Sequence, residues 1–247
     1  MRWPDTAELF DRIGLQPGIR CADLGCGGGE VTFEIARLVG PGGHVTGFDM
    51  DEVKLGLARS SAAEQEIENV EFRPVDVNEW SEPGAYDLVF CRLLLQHLSR
   101  PVDLLERMWA AVRPGGVVAV EDADFDGLFC DPPNDGFEFY ARALPAVIRR
   151  NGGDPSIGRK LHRYWREARI PAPQFALQAQ RLRATGDTKT LALATLEATA
   201  ETMIEGGIAT AEEIEAARAS LAAFAADSGT MLADPRIFQC WSRRPAA

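Results

Sequence analysis

Residues 21–30 read Cys-Ala-Asp-Leu-Gly-Cys-Gly-Gly-Gly-Glu, an apolar run leading straight into glycines and then into a stretch of helical character. Glycines at such a turn let a ligand approach the backbone closely, and the helix start behind them offers free N–H groups. A nucleotide-like ligand suits that arrangement. The dinucleotide pattern G-x-G-x-x-G fails in both frames, because its third glycine falls on Glu30 when counted from Gly25 and on Thr32 when counted from Gly27. The segment fits D-x-G-x-G-x-G once Asp23 is included. A turn that need not meet a pyrophosphate tolerates this extra carboxylate, which can accept from a ligand ammonium group.

The elements that must position this turn show in the alternation of short apolar runs with amphipathic stretches, the mark of a parallel sheet wrapped by helices. Strands are expected at 19–24, 44–48, 70–75, 87–91 and 116–121, and helices at 28–39, 51–66 and 101–112. In the last of these, Val102, Leu105, Met108, Trp109 and Val112 recur at helical spacing. Pro41-Gly42-Gly43 and Pro114-Gly115-Gly116 each end a helix and open a strand. Residues 123–135 read as a loop leaving the sheet, 137–150 and 156–169 as helices, and 175–183 as a strand. Helices are expected again at 188–205 and 210–226, the second opening with the capping-box pattern Thr210-Ala-Glu-Glu213. Residues 236–243 close the chain as a last strand.

Together these residues resemble the class I S-adenosylmethionine-dependent methyltransferases, with the likeness running from about Ile19 to Asp122, and the resemblance to the small-molecule branch is strongest in Asp154-Pro-Ser-Ile-Gly-Arg-Lys-Leu161 and in the last strand. The resemblance implies an α/β fold, a doubly wound Rossmann-like sheet of seven mostly parallel strands with helical cap insertions. It implies S-adenosylmethionine as cofactor and a set of residues around it. Asp23, Gly25 and Gly27 form the turn, and Asp49, followed by Met50, is similar to the acidic residue that holds both ribose hydroxyls. Asp76 and Val77 resemble the adenine site, and Cys91 and Arg92 end the strand beside the methionine portion. Read singly, Asp49 is as well explained as a helix N-cap, and Asp76 as a loop carboxylate.

Methyl transfer from a sulfonium needs chiefly proximity and alignment, and a base only when the acceptor must lose a proton. His97, in Leu95-Gln-His-Leu98, resembles the histidine found after the fourth strand in many small-molecule members and is the first candidate for that base. Packing or capping of the loop before Pro101 explains it equally well. Asp122, with Glu121 and Asp124, is expected at the same rim as an assisting carboxylate, or else as part of an acidic loop facing water. Aromatic residues from Phe125 to Trp165 are expected mostly to pack the insertion onto the sheet, with some walling a pocket for a ring-bearing acceptor. The organisation read from this is 1–17 as an N-terminal lid or helix, 18–122 as the cofactor-binding core, 123–172 as an acceptor-side insertion, and 173–247 as the final strands with a helical cap at 186–233. The cap reads as a cover or as a homodimer surface. With 18 residues before the first strand, Trp3 and Phe10 read as a shortened lid, unless the chain's start lies upstream.

Composition narrows the partners. Across 247 residues, 37 Asp+Glu against 26 Lys+Arg give a net charge of −11, which disfavours nucleic acid. Asp131-Pro-Pro-Asn134 resembles the D-P-P-Y tetrad of amino-methylating DNA enzymes, but it lies after the fifth strand and lacks the final aromatic. No apolar run approaches the roughly 18 residues of a membrane span, and five cysteines without a C-x-x-C pair read as reduced core thiols. Three scattered histidines argue against a dedicated metal site. The expectation is a soluble cytoplasmic enzyme that moves a methyl group to a small molecule, such as a secondary metabolite or a quinone-like ring. The competing expectation is a cofactor-binding protein of the same fold with non-methylating chemistry or no catalysis.

Overall fold

The computed structural model describes residues 4–185 and 189–246. Trp3 and the first three residues of the expected cap, 186–188, lie outside the described residues. The first half alternates as expected: β1 (Arg20–Leu24), α2 (Glu30–Val39), β2 (His44–Asp49), α3 (Glu52–Glu64), β3 (Val70–Pro74), β4 (Tyr86–Arg92), α4 (Pro101–Ala111) and β5 (Val112–Asp124), preceded by α1 (Pro4–Ile13). Together with β7 (Gln174–Leu177) and β10 (Arg236–Arg243), the strands form a seven-stranded sheet in the order β3-β2-β1-β4-β5-β10-β7. β1 to β5 pair in parallel, and β10 enters antiparallel between β5 and β7. The order reverses between β1 and β4, and crevices outside strand carboxyl ends at such a switch point are where open α/β sheets hold ligands.

Two apolar layers cover the sheet. On one face Leu24, Val89, Val118 and Val120 pack under α4 and α6 (Leu161–Glu167), and on the other Cys21, Leu88, Phe90 and Ala119 pack under α1 and α2. Alternation along β5 explains the split, since successive side chains point to opposite faces. Phe10 does not act as a lid residue. It is 1 % exposed and meets the Phe90 ring edge-on at 5.3 Å, because the apolar stripe of α1 (Leu9, Phe10, Ile13) is the piece that closes this face of the sheet.

The later region departs from the sequence reading in several places: a short strand lies at Phe129–Asp131 inside the expected loop, another at Met231–Ala233 inside the expected cap, and the helix expected at 156–169 is α-helical only over Leu161–Glu167. The strand expected at 175–183 is two short ones, β7 and β8 (Leu182–Arg183), and β8 belongs to a separate three-stranded sheet, β6-β9-β8, with β6 at Phe129–Asp131 and β9 at Met231–Ala233. Across residues 178–181 the chain passes from one sheet to the other: Gln178 N–H still donates to the Ile237 carbonyl of β10 and the Arg181 carbonyl accepts from Asp234 N–H, while the side chains of Gln178 and Gln180 donate to Glu121 Oε1 at 2.8 Å and to the carbonyls of Gly127 and Asp234. Helices α5 (Asp135–Arg150), α7 (Leu191–Glu205) and α8 (Ala211–Ala226) bury Phe137, Leu144, Leu196, Met203, Leu221 and Phe224 among themselves. The capping box is present, with Glu213 N–H on Thr210 Oγ1 and Thr210 N–H on Glu213 Oε2.

Candidate active site

The glycine turn is hooked to the end of β2. The N–H groups of Gly25 and Cys26 both donate to the Phe48 carbonyl, at 2.7 and 3.0 Å. Gly25 has φ +70°, and a Cβ there would stand 2.9 Å from Leu94 Cδ1; Gly27 has φ +53° and open space where its Cβ would be. An L-residue at either place meets backbone strain, and at Gly27 it would also fill the space a ligand needs. Gly27 N–H donates to Asp49 Oδ2 at 2.8 Å, and Asp51 N–H donates to Oδ1 at 3.0 Å. Each carboxylate oxygen offers two lone pairs, so both of these bonds leave room for a further donor on each oxygen. Asp49 is thus pre-set at the mouth of the turn. It is not the cap of α3, a role taken by Asp51, which accepts from Val53 and Lys54 N–H.

Met50 is 76 % exposed directly beyond Asp49, and Val77 is buried. Asp76 is exposed and organises its own turn, with Oδ1 accepting from the backbone and side-chain amides of Asn78. Asp23 sits differently from the expectation of a carboxylate facing ligand. It is 2 % exposed and accepts from Thr32 Oγ1 at 2.6 Å, tying β1 to α2 from beneath the glycines. Burial raises its pKa to about 7 against the opposing pull of the Thr32 bond.

At the end of β4 the chain divides its roles by face. Cys91 turns into the apolar core, fully buried, and burial pushes its thiol well above the ordinary range, so its side chain faces no ligand. Arg92 turns to the opposite face, its Nε 3.2 Å from Glu121 Oε2. Leu93 then adopts φ +52°, and its N–H donates to the Glu121 carbonyl at 2.8 Å. Non-glycine residues in this region are uncommon and cluster where a site is being shaped. The reversal leads into a short 3-10 turn, Leu95–His97.

His97 sits on the rim, with Nε2 3.2 Å from Gln96 Nε2. Its crowded surroundings lower its pKa, and the Lys54 charge lowers it further, so the ring is neutral and able to accept a proton at pH 7. Asp122 is not on the rim. It is fully buried, accepts from Gln96 N–H at 3.2 Å and Ala123 N–H at 2.9 Å, and thereby fixes the turn that carries His97. Burial raises its pKa to about 7. Asp124 is likewise buried, clamped by Arg159 and Arg236, so none of the three carboxylates forms an acidic loop facing water.

Glu121 is the residue whose importance the sequence did not convey. Fully buried, it accepts from Thr6 Oγ1 at 2.7 Å, Gln178 Nε2 at 2.8 Å and Gln239 Nε2 at 2.6 Å, besides facing Arg92. One carboxylate therefore joins α1, β4, the segment after β7, and β10. Its sequence signal was an acidic residue at the end of the apolar run of β5, and its three neutral hydrogen-bond donors lie 57 to 118 residues away. Beside it, a cavity of about 120 Å³ opens between the end of β4 and residues 178–181, lined by Leu93, Leu191, Pro235 and Ile237 among others. Aromatic residues do not wall it. Phe137 and Tyr140 are buried among the cap helices, and Trp165 is buried against the sheet, donating to Ser242 Oγ at 2.8 Å. Among the described residues there is no cluster of His, Cys, Asp and Glu able to hold a metal.

The open face at Gly27 and the pre-set Asp49 carboxylate fit S-adenosylmethionine, whose ribose diol requires a double acceptor and whose sulfonium nucleoside needs close backbone approach. The fold and this cradle define the Rossmann-like class of S-adenosylmethionine-dependent methyltransferases. Residues 15–168 match the family model described as a methyltransferase domain, and the chain belongs to that family. A ubiquinone biosynthesis O-methyltransferase of Aeromonas salmonicida is 38% identical over 114 residues, 45% of this chain and 46% of that protein. The chain thus aligns with about half the length of the curated relatives it matches. Among solved structures, a phosphoethanolamine N-methyltransferase of Haemonchus contortus holding S-adenosylhomocysteine superposes with a TM-score of 0.62 at 17% identity, over 99% of this chain and 53% of that one. The cyclase SpnF superposes with a TM-score of 0.60 at 18% identity, over 98% of this chain and 80% of that one. At those identities the likeness is one of fold.

Proposed function

We propose that the protein transfers the methyl group of S-adenosylmethionine to a small ring-bearing acceptor of quinone-like or secondary-metabolite type. The observation that carries the reading is the Gly27–Asp49 hydrogen bond, which holds a half-buried double acceptor against an open glycine turn at the sheet's switch point. The cofactor supplies a methyl group already activated by positive charge on sulfur. Asp49 takes the ribose hydroxyls, Asp76 and Val77 border the adenine, and Gly25, Gly27 and Arg92 border the methionine portion. Asp23 and Cys91, both buried, shape the cradle from beneath without touching the ligand. Neutral His97 accepts the acceptor's proton, and Asp122 positions it through Gln96. The cap formed by α5, α7 and α8 covers the acceptor side. The ubiquinone-pathway relative supports an oxygen acceptor on an aromatic ring. Incubation with methyl-tritiated S-adenosylmethionine and a panel of catechols and hydroquinols is expected to yield labelled ether, abolished by excess S-adenosylhomocysteine. Cofactor binding without transfer to any of them would favour the second reading, non-methylating chemistry on the same fold, for which the likeness to a cyclase is the supporting observation.

A further inference from the structure

The seven-stranded sheet treats its two edges differently. β3 carries Glu71 and Arg73 and ends in Pro74, and charge and proline are what keep an exposed edge from pairing with another chain. β7, at the other edge, reads Gln-Phe-Ala-Leu and carries neither. Phe175 is 48 % exposed and Leu177 55 %, and alternation puts both on the face of the sheet where Phe238 stands opposite Leu177. Apart from the pairing with β10, the backbone of residues 174–177 makes no hydrogen bond among the described residues. Along this edge runs an apolar groove of about 400 Å³, lined by Phe175, Leu177 and Phe238 and by His162 of α6, whose ring meets Phe175 edge-on at 6.3 Å.

The flank of α6 gives the groove a charge opposite to that of the chain. In a protein of net charge −11, residues 149–169 hold six arginines and a lysine against two acids. Arg159, Lys160 and Arg163 face Asp124, Asp154 and Glu167. Arg166 and Arg169 are exposed, and neither side chain has a hydrogen bond or ion pair among the described residues. Arg166 follows His162 by one helical turn, so it shares the flank that borders the groove. It stands toward the Gln174 end, because Trp165 donates to Ser242 Oγ, next to the Trp241 that pairs with Gln174. A segment laid antiparallel along β7 therefore meets apolar surface first and cations afterwards. We propose that β7 is a docking edge for another protein, taking an extended acidic segment as an added antiparallel strand, with its apolar side chains in the groove and its carboxylates at Arg166 and Arg169. Main-chain bonds then supply affinity, and the groove and the arginines supply specificity. A second copy of the chain fits poorly: pairing β7 with its own image across a two-fold axis sets both α6 flanks on one side of the joined sheet, arginine beside arginine. The inference is independent of the methyl-transfer reading.

The test is fluorescence anisotropy with a short labelled peptide in which threonines alternate with valine, leucine, glutamate and glutamate in that order, compared with the same peptide carrying glutamines for the glutamates. The acidic peptide is expected to bind roughly tenfold or more tightly than the neutral one. Arg166→Glu should remove most of that difference, and Leu177→Lys, a charge placed on the bare edge, should remove binding of both. Binding should also slow hydrogen exchange at the amides of β7. No binding of the acidic peptide by about 1 mM, equal binding of the neutral one, or binding that Leu177→Lys leaves intact overturns the proposal. Sedimentation equilibrium of the protein alone tests the other occupant, since a dimer that Leu177→Lys dissociates would give the edge to a second copy. Arg166-dependent pelleting with phosphatidylglycerol vesicles, without peptide binding, would give the patch to a lipid surface. Either result overturns the assignment to an acidic protein segment.

Discussion

Asp49 holds the glycine turn through Gly27 and, in the function proposed above, also takes the ribose hydroxyls. Its replacement is therefore expected to cost more than one ligand bond. Asp49→Ala should weaken S-adenosylhomocysteine binding by about 1.5–3 kcal/mol, the range for bonds to a charged acceptor, and calorimetry checks it. His97 makes a different demand, because a base matters to the chemical step and not to cofactor affinity. His97→Ala should lower kcat by about a hundredfold or more while leaving the S-adenosylhomocysteine Kd within a few-fold. Since the ring's pKa is lowered, the acid limb of the native pH–rate profile should lie below the ordinary histidine value, and it should vanish in the variant. Asp23 and Asp122 give a signature in stability. Both are raised by burial from 3.8 to about 7, so over that interval the folded chain retains protons that the unfolded chain has released. Their contribution to stability is therefore greatest below pH 4 and declines as pH rises toward 7. Asp122→Asn should flatten the decline between pH 5 and 7.5 in urea titrations, and an unchanged slope would show that Asp122 ionises normally.

At the scale of elements, α1 is a structural member of the sheet's cover. Phe10→Ala should destabilise the fold by about 3–5 kcal/mol, because it empties a site packed against Phe90, and thermal or urea unfolding reads it. A lid residue would have cost almost nothing. This helix also shows where sequence reading runs out. Its periodicity was visible, but the face it would cover is set by Phe90 and Glu121, distant in the chain. The glycine turn, β1 to β5 and the capping box were legible because each depends on local spacing: glycines where φ is positive, apolar runs between Pro-Gly breaks, Thr210 three residues before Glu213. The break at 178–181 and the burial of Asp23, Asp122 and Asp124 were not, because pairing between residues far apart decides them. A carboxylate in a sequence reads as a surface group until its partner is placed. For Asp124 those partners are Arg159 and Arg236, and for Glu121 they are Thr6, Gln178 and Gln239.

On the scale of the whole molecule, a parallel sheet puts the ends of five strands on one edge, and the chain uses that edge for the cradle while burying the carboxylates that brace it. The chain's net charge of −11 works against binding a phosphate backbone and agrees with the small-molecule acceptor proposed above. The central claim is that the cradle between Gly25 and Asp49 holds an S-adenosyl nucleoside and not a dinucleotide. Isothermal titration of the purified protein with S-adenosylhomocysteine, with NADH as control, tests it most directly. The account predicts one site with a micromolar Kd for the first ligand, no heat for the second, and a Kd weakened roughly ten- to a hundredfold in Asp49→Ala. Binding of NADH, or no binding of S-adenosylhomocysteine to the folded protein, would contradict it.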